Sequence, residues 1–159
     1  MNEEQFDALA QQALADIADH YQLPELAYED GGCALNFNRG RSILLYPEFE
    51  VQSLLMRALI GVVPFSGSKT GELFLDMLQG NDGWSRTQGA TLGIDPENGI
   101  ASLWCRLPLP ADGSTLIETV QGLLGAAEYW LDVIKGFGGQ PLFESVPETG
   151  EATGAMLKA

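Results

Sequence analysis

The sequence predicts an α+β domain in the order α-β-β-β-α-β-β-α, with helices covering an antiparallel sheet. Three observations lead there. Apolar residues recur at three- and four-residue spacing in three separated stretches, as in amphipathic helices. Between those stretches lie short alternating segments joined by glycine-containing turns, the pattern of hairpins. The strands come in a run of three and a run of two, so the elements are segregated, as α+β architecture requires. A chain of 159 residues suits one such domain.

The first helix spans residues 3–22. Phe6, Leu9, Ala10, Ala13, Leu14, Ile17, Ala18 and Tyr21 form its apolar side, and Gln5, Gln11, Gln12, Asp16 and Asp19 its polar side. Glu3, Glu4 and Asp7 sit in the first turns, where the helix dipole favours negative charge, and Pro24 ends it. Glu29-Asp30-Gly31-Gly32 is a turn. Residues 33–37 alternate as a half-buried strand, Asn38-Arg39-Gly40 turns the chain, and residues 42–46 return. Pro47 to Glu50 makes the next corner.

Residues 51–63 fit two patterns. Leu54, Leu55, Ala58, Leu59 and Val62 suit a helix; Gln52, Leu54, Met56, Ala58, Ile60 and Val62 suit one face of a strand. The β-branched end and the flanking Pro47 and Pro64 favour the strand. Arg57, inside this apolar stretch, must face outward or be paired. A loop at 65–68 leads to a helix at 69–80, which Gly80-Asn81-Asp82-Gly83 ends. A second hairpin pairs residues 89–94 with 100–107 around a turn at 95–99. The last helix runs over 113–135, with Thr115 and Glu118 at capping-box spacing. The domain therefore covers residues 1–135. The glycine-rich remainder, 136–159, reads as a flexible tail.

Charge and chemistry exclude several functions. Lys and Arg number 8 against 22 Asp and Glu, a net charge of −14. Such a field repels nucleic acid and anionic lipid, so neither is an expected partner. No apolar run reaches the roughly 18 residues of a membrane span, and Met1-Asn2-Glu3-Glu4 is acidic where a secretory signal is basic. Two cysteines, Cys33 and Cys105, are too few for a disulfide framework and suit a reducing cytosol as buried thiols. His20 is the only histidine, and its place in the last turn of a helix suits the dipole better than it suits catalysis. No nucleophile has a histidine–acid pair to serve it. Gly67-Ser68-Lys69-Thr70 resembles a phosphate-binding loop, but Lys69 does not follow a glycine and Gly61 lies too far upstream. Asp95-Pro96-Glu97-Asn98-Gly99 lacks the ligand spacing of a calcium loop and reads as a turn. No enzyme activity, cofactor or metal is expected.

The ordered motifs resemble a known family, the small acidic Tir-chaperone family of type III secretion chaperones. Tyr21-Gln22-Leu23-Pro24 resembles the family's "hhGLP" helix exit, without its glycine. The Gly32-Cys33-Ala34-Leu35 strand follows. Leu73 to Asn81 is similar to "hhxxLLxxN", with Gly80 where a larger residue is usual. Gln88 to Asp95 with Gly99 to Leu109 resembles the "GATLGLD…GxLxLxxRLPL" hairpin, and Ala127-Glu128-Tyr129-Trp130 resembles "AExW". The resemblance covers about residues 3–135. It implies a homodimer in the bacterial cytosol that binds the N-terminal region of a secreted effector and holds it extended for export, with no ATP and no covalent chemistry. The alternative is a protein of the same fold that sequesters a transcriptional control partner.

Two surfaces are expected on this reading. The first helix has more apolar positions than one core-facing stripe needs, so Phe6, Leu9, Ala13 and Ile17, with Leu35, Phe37, Leu44 and Tyr46 from the strands, are candidates to bind the effector. Residues 73–78 are similarly rich, so Leu73, Phe74, Met77 and Leu78, with Trp84 and Trp104, are candidates for the dimer interface. The acidic charge keeps such apolar surfaces soluble; whether it also steers basic cargo segments stays open, and the salt dependence of the association rate decides between the two.

Overall fold

Asn2 starts the first helix. Its side chain accepts the Gln5 amide at 2.8 Å while its own amide donates to Gln5 Oε1 at 3.2 Å, a reciprocal cap that fixes where α1 (Glu3–Tyr21) begins. Gln22 closes α1 in the left-handed region, φ 54°, the conformation that a glycine takes without cost. The family's missing glycine is therefore missed at a position whose backbone still requires its geometry. The structure, a computed structural model, describes residues 1–143.

The strands are β1 (Cys33–Phe37), β2 (Arg41–Glu48), β3 (Ser53–Val62), β4 (Thr91–Ile94) and β5 (Ile100–Pro108), with the short β6 (Gln140–Pro141). They lie in the order β1-β2-β3-β5-β4, every pairing antiparallel. The ambiguous stretch is the central strand, β3, and both of its sequence patterns have a cause. Leu54, Met56, Ala58 and Ile60 face the core and are buried, while Leu55, Arg57 and Leu59 on the other face are half-buried. A strand apolar on both faces loses the clean alternation that marks a half-exposed one.

The helices are α1, α2 (Thr70–Asn81) and α3 (Gly113–Gly136). All pack with the inner sheet face into one core, which also takes Leu35, Ile43, Leu45, Leu103 and Leu107. Asp112, not Thr115, caps α3: its carboxylate accepts the Thr115 amide at 2.8 Å and the Thr115 hydroxyl at 2.7 Å. The expected capping box at Thr115 and Glu118 does not form; the cap is the Asp112 carboxylate, three residues upstream, because Asp112 already stands where the helix begins. Trp130 lies at the centre of α3's packing, fully buried, and donates its indole N–H to the Arg86 carbonyl at 3.0 Å. A Cβ built at Gly80 would overlap the Trp130 ring. The departure at Gly80 thus makes room for the indole.

The expected tail starts later than residue 136. Gln140 and Pro141 pair with Val62 and Gly61. Because Gly61 also pairs with Ala101 of β5, β6 must lie on the β2 side of β3, past the start of β2. Residues 136–143 are consequently part of the packed domain; the remainder of the expected tail, 144–159, lies outside the described residues.

Candidate functional site

With three helices on the inner face, the outer face of the sheet has no layer over it among the described residues. Strand register arranges it in cross-strand rows. Ala34, Leu44, Arg57, Trp104 and Thr91 form the middle row. Asn36, Ser42, Leu59, Ser102 and Gly93 flank it on one side, and Tyr46, Leu55 and Arg106 on the other. Leu44, Tyr46, Leu55, Leu59 and Trp104 are half-buried and make no part of the core. The Arg57 guanidinium carbon sits 4.7 Å from the centre of the Trp104 ring, and its Nε donates to Ser102 Oγ at 3.1 Å. Arg106 takes Glu48 in two bonds, 2.7 and 3.2 Å; that hydrogen bonding holds the Glu48 carboxyl below its ordinary range.

The two sheet edges differ. At β4 the Asn81 carboxamide donates to the Leu92 carbonyl at 3.1 Å and accepts the Leu92 amide at 2.7 Å. The last residue of α2 thereby fills the place a neighbouring strand would take, and that edge is closed at its middle. At β1 no strand lies on the outer side among the described residues. This edge follows a tight turn, Glu29 to Gly32, with reciprocal backbone bonds of 2.8 and 3.0 Å. The connection from α1 is held down by Tyr28 Oη on the Ala10 carbonyl at 3.1 Å and by Gln11 on the Leu26 carbonyl at 3.2 Å.

A second apolar surface surrounds α2. Leu75 is 57% exposed and Leu78 68%, with Phe65 and Trp84 at 57% each. Phe74 is half-buried and meets Phe65 edge-on, 6.3 Å between ring centres. Arg86 anchors the loop after α2: it pairs with Asp76 at 2.7 Å and lies 5.1 Å from the centre of the Trp130 ring. Between that loop and α3, Arg86, Gln88, Gln121, Gly122, Gly125 and Tyr129 line an open groove of about 660 Å³.

These positions sort the expected binding residues. Of the effector-binding candidates, Phe6, Ala13, Ile17 and Leu35 are buried in the protomer's own core, so they are corrected from binding to packing: α1 packs beside α3 and turns its apolar stripe into that core. Leu9 and Phe37 are half-buried at the margin of that core. Leu44 and Tyr46 lie on the opposite face, so the eight do not form one groove. Of the dimer candidates, Leu73 and Met77 are core residues and are corrected likewise, since α2 turns them inward. Phe74, Leu78 and Trp84 remain on the surface, and Trp104 belongs to the outer face beside Arg57. Leu55 and Leu59 were missed as surface positions. Their signal was the period-two pattern around Arg57.

Burial pushes the Cys105 thiol up to about 11 and raises Cys33 as well, which keeps both as neutral thiols. Among the described residues, no group of three His, Cys, Asp or Glu side chains is placed to hold a metal ion, and no helix is long and apolar enough to cross a membrane.

The sequence matches the model of the Tir chaperone protein (CesT) family over residues 12–131. No curated protein matches it. Among solved structures, the ExsC–ExsE complex contains a chain with TM-score 0.69 and 22% identity, the match covering 80% of this chain and 95% of that one. The HopA1–SchA chaperone–effector complex gives TM-score 0.62 and 20% identity, over 79% and 95%. The ExoU–SpcU complex from the type III secretion system of Pseudomonas aeruginosa gives 0.61 and 20%, over 79% and 98%. At these identities the likeness is one of fold.

Proposed function

The chain belongs to the Tir chaperone protein (CesT) family, and on that premise we propose that it is a cytosolic export chaperone for a type III secretion effector, working as a homodimer and without covalent chemistry. One observation carries the reading most strongly: on a chain of net charge −14, the described residues leave an apolar sheet face uncovered and one sheet edge open. An uncovered apolar face is an aggregation hazard unless it has a partner. High like charge keeps the unoccupied protein dispersed.

On this reading the client lies extended. Part of it adds as a strand to the β1 edge, where backbone groups are free to pair. Side chains on either flank reach Phe37 and Leu9 at the core margin and Leu44 and Tyr46 on the outer face. The β4 edge takes no strand, because Asn81 holds Leu92. The α2 surface, with Phe74, Leu78 and Trp84 joined by Leu75 and Phe65, forms the twofold contact. A client kept unfolded loses conformational entropy on capture, so a long contact is needed to hold it.

Purifying the tagged chain from its own host, followed by limited proteolysis and mass spectrometry, tests this. The expected result is a protected N-terminal segment of an exported protein whose export falls when the chaperone is deleted. Normal export of that protein without the chaperone overturns the reading. A transcriptional control protein in its place would move the chain to the regulatory alternative.

A further inference from the structure

Arg57 is the unspent feature of the molecule. It sits in the middle row of the outer face, in the central strand, bordered by Leu44, Leu55, Leu59 and Trp104. Among the described residues it has no carboxylate partner, and its one hydrogen bond, from Nε to Ser102, leaves the Nη groups free. The strand residues of this face bring two arginines, Arg57 and Arg106, against one glutamate, Glu48, which is already taken by Arg106. On a chain this acidic, the face is locally basic at its apolar centre. A guanidinium half-withdrawn from water with open donors is costly to leave unmatched. Here Trp104 and Ser102 hold it in place, so it loses little freedom on meeting a ligand.

Resting on the export-chaperone reading, we propose that the outer face recognises a client segment in which one aspartate or glutamate stands among apolar residues, the carboxylate pairing with Arg57 and the apolar neighbours lying on Leu44, Leu55, Leu59 and Trp104. Charge complementarity selects this occupant over a second copy of the chain. Face-to-face self-pairing would oppose two locally basic patches, with each Glu48 already engaged. The planar guanidinium takes a carboxylate through two parallel bonds, which fixes the client's register along the sheet. The overall negative field acts at longer range and does not prevent one carboxylate from pairing at contact.

The test uses two fluorescent 13-residue peptides of alternating leucine and serine, one with a central aspartate, the other with asparagine at that position. Anisotropy gives their affinities for the full chain and for Arg57→Gln and Arg57→Lys. The indole N–H resonance of Trp104, assigned with Trp104→Phe, reports where they bind. The wild-type chain should prefer the aspartate peptide by roughly tenfold or more, with the Trp104 resonance shifting. Arg57→Gln should abolish the preference, losing more affinity for the aspartate peptide than for the asparagine peptide, and Arg57→Lys should restore part of it. An equal preference in Arg57→Gln, no binding of the aspartate peptide at millimolar concentration, or dissociation of a dimer by Arg57→Gln would each overturn the proposal. If host capture still returns an exported client, the export reading survives and only the role of Arg57 falls.

Discussion

Changing Leu78 to aspartate should split the proposed dimer and spare the fold. Leu78 is 68% exposed on the protomer surface, so the isolated chain gains little from it. Burying a whole leucine side chain is worth about 1.5–3 kcal/mol, and burying the exposed two-thirds of this one about 1–2 kcal/mol. A twofold interface counts each position twice, giving about 2–4 kcal/mol. Two desolvated carboxylates without partners would add several kcal/mol more. At 1.4 kcal/mol per tenfold, the dissociation constant should rise by about a thousandfold or more. The protomer should lose only about 0.5 kcal/mol, from the poorer helix propensity of aspartate. Leu73→Asp is the contrast. Leu73 is fully buried on the same helix, and its replacement should unfold the chain. Sedimentation equilibrium at micromolar concentration with thermal melting checks both. A wild-type monomer, or a Leu78→Asp chain that dimerises as tightly as wild type, refutes the reasoning.

Three further outcomes follow from local geometry. Gly80→Ala gains about 1 kcal/mol of helix propensity but pushes a methyl into the Trp130 ring, at an overpacking cost of roughly 1–3 kcal/mol. Thermal melting should show no gain and up to several degrees of loss, and a smaller loss when Trp130→Phe is the background; a stabilised single variant contradicts it. Gln22→Gly relieves a left-handed non-glycine residue, φ 54°, and should raise stability by about 1 kcal/mol, measurable by urea unfolding. Cys33 and Cys105 should resist iodoacetamide at pH 8 while folded and react on unfolding. Because the folded Cys105 thiol ionises only at about 11, against an ordinary 9.0, the unfolded chain releases its proton first. Its contribution to stability is therefore complete below pH 9 and declines as pH rises towards 11.

Much of the architecture was legible because the periodicities are strong. The three helices and both hairpins stand within a few residues of where spacing puts them, and β1 is where alternation puts it. What periodicity cannot tell is which of two surfaces an apolar residue faces. Phe6, Ile17 and Leu35 have the same character as Leu44 and Tyr46, yet the first two, on α1, and Leu35, on β1, point into the core, and the last two lie on the far side of the sheet. That distinction is a property of strand register and helix docking, both set by non-local packing. On α2, the apolar excess was legible but its division was not: Leu73 and Met77 point inward while Leu75 and Leu78 point out. Two of the departures from the family pattern, Gln22 and Gly80, become intelligible only with a φ angle and a neighbouring indole in view. Asn81 is a different case. Its motif position was visible, but its role in closing the β4 edge depends on Leu92, eleven residues away.

The central claim is that two copies of this chain hold one extended client segment. Native mass spectrometry of the complex isolated from the host, with hydrogen exchange on the same sample, tests it most directly. The account expects two chains per client, protection along β1 and the outer face around Leu44 and Trp104, and client amides protected only where they pair with β1. A client bound as a folded domain, or protection confined to the helical side of the sheet, would contradict it.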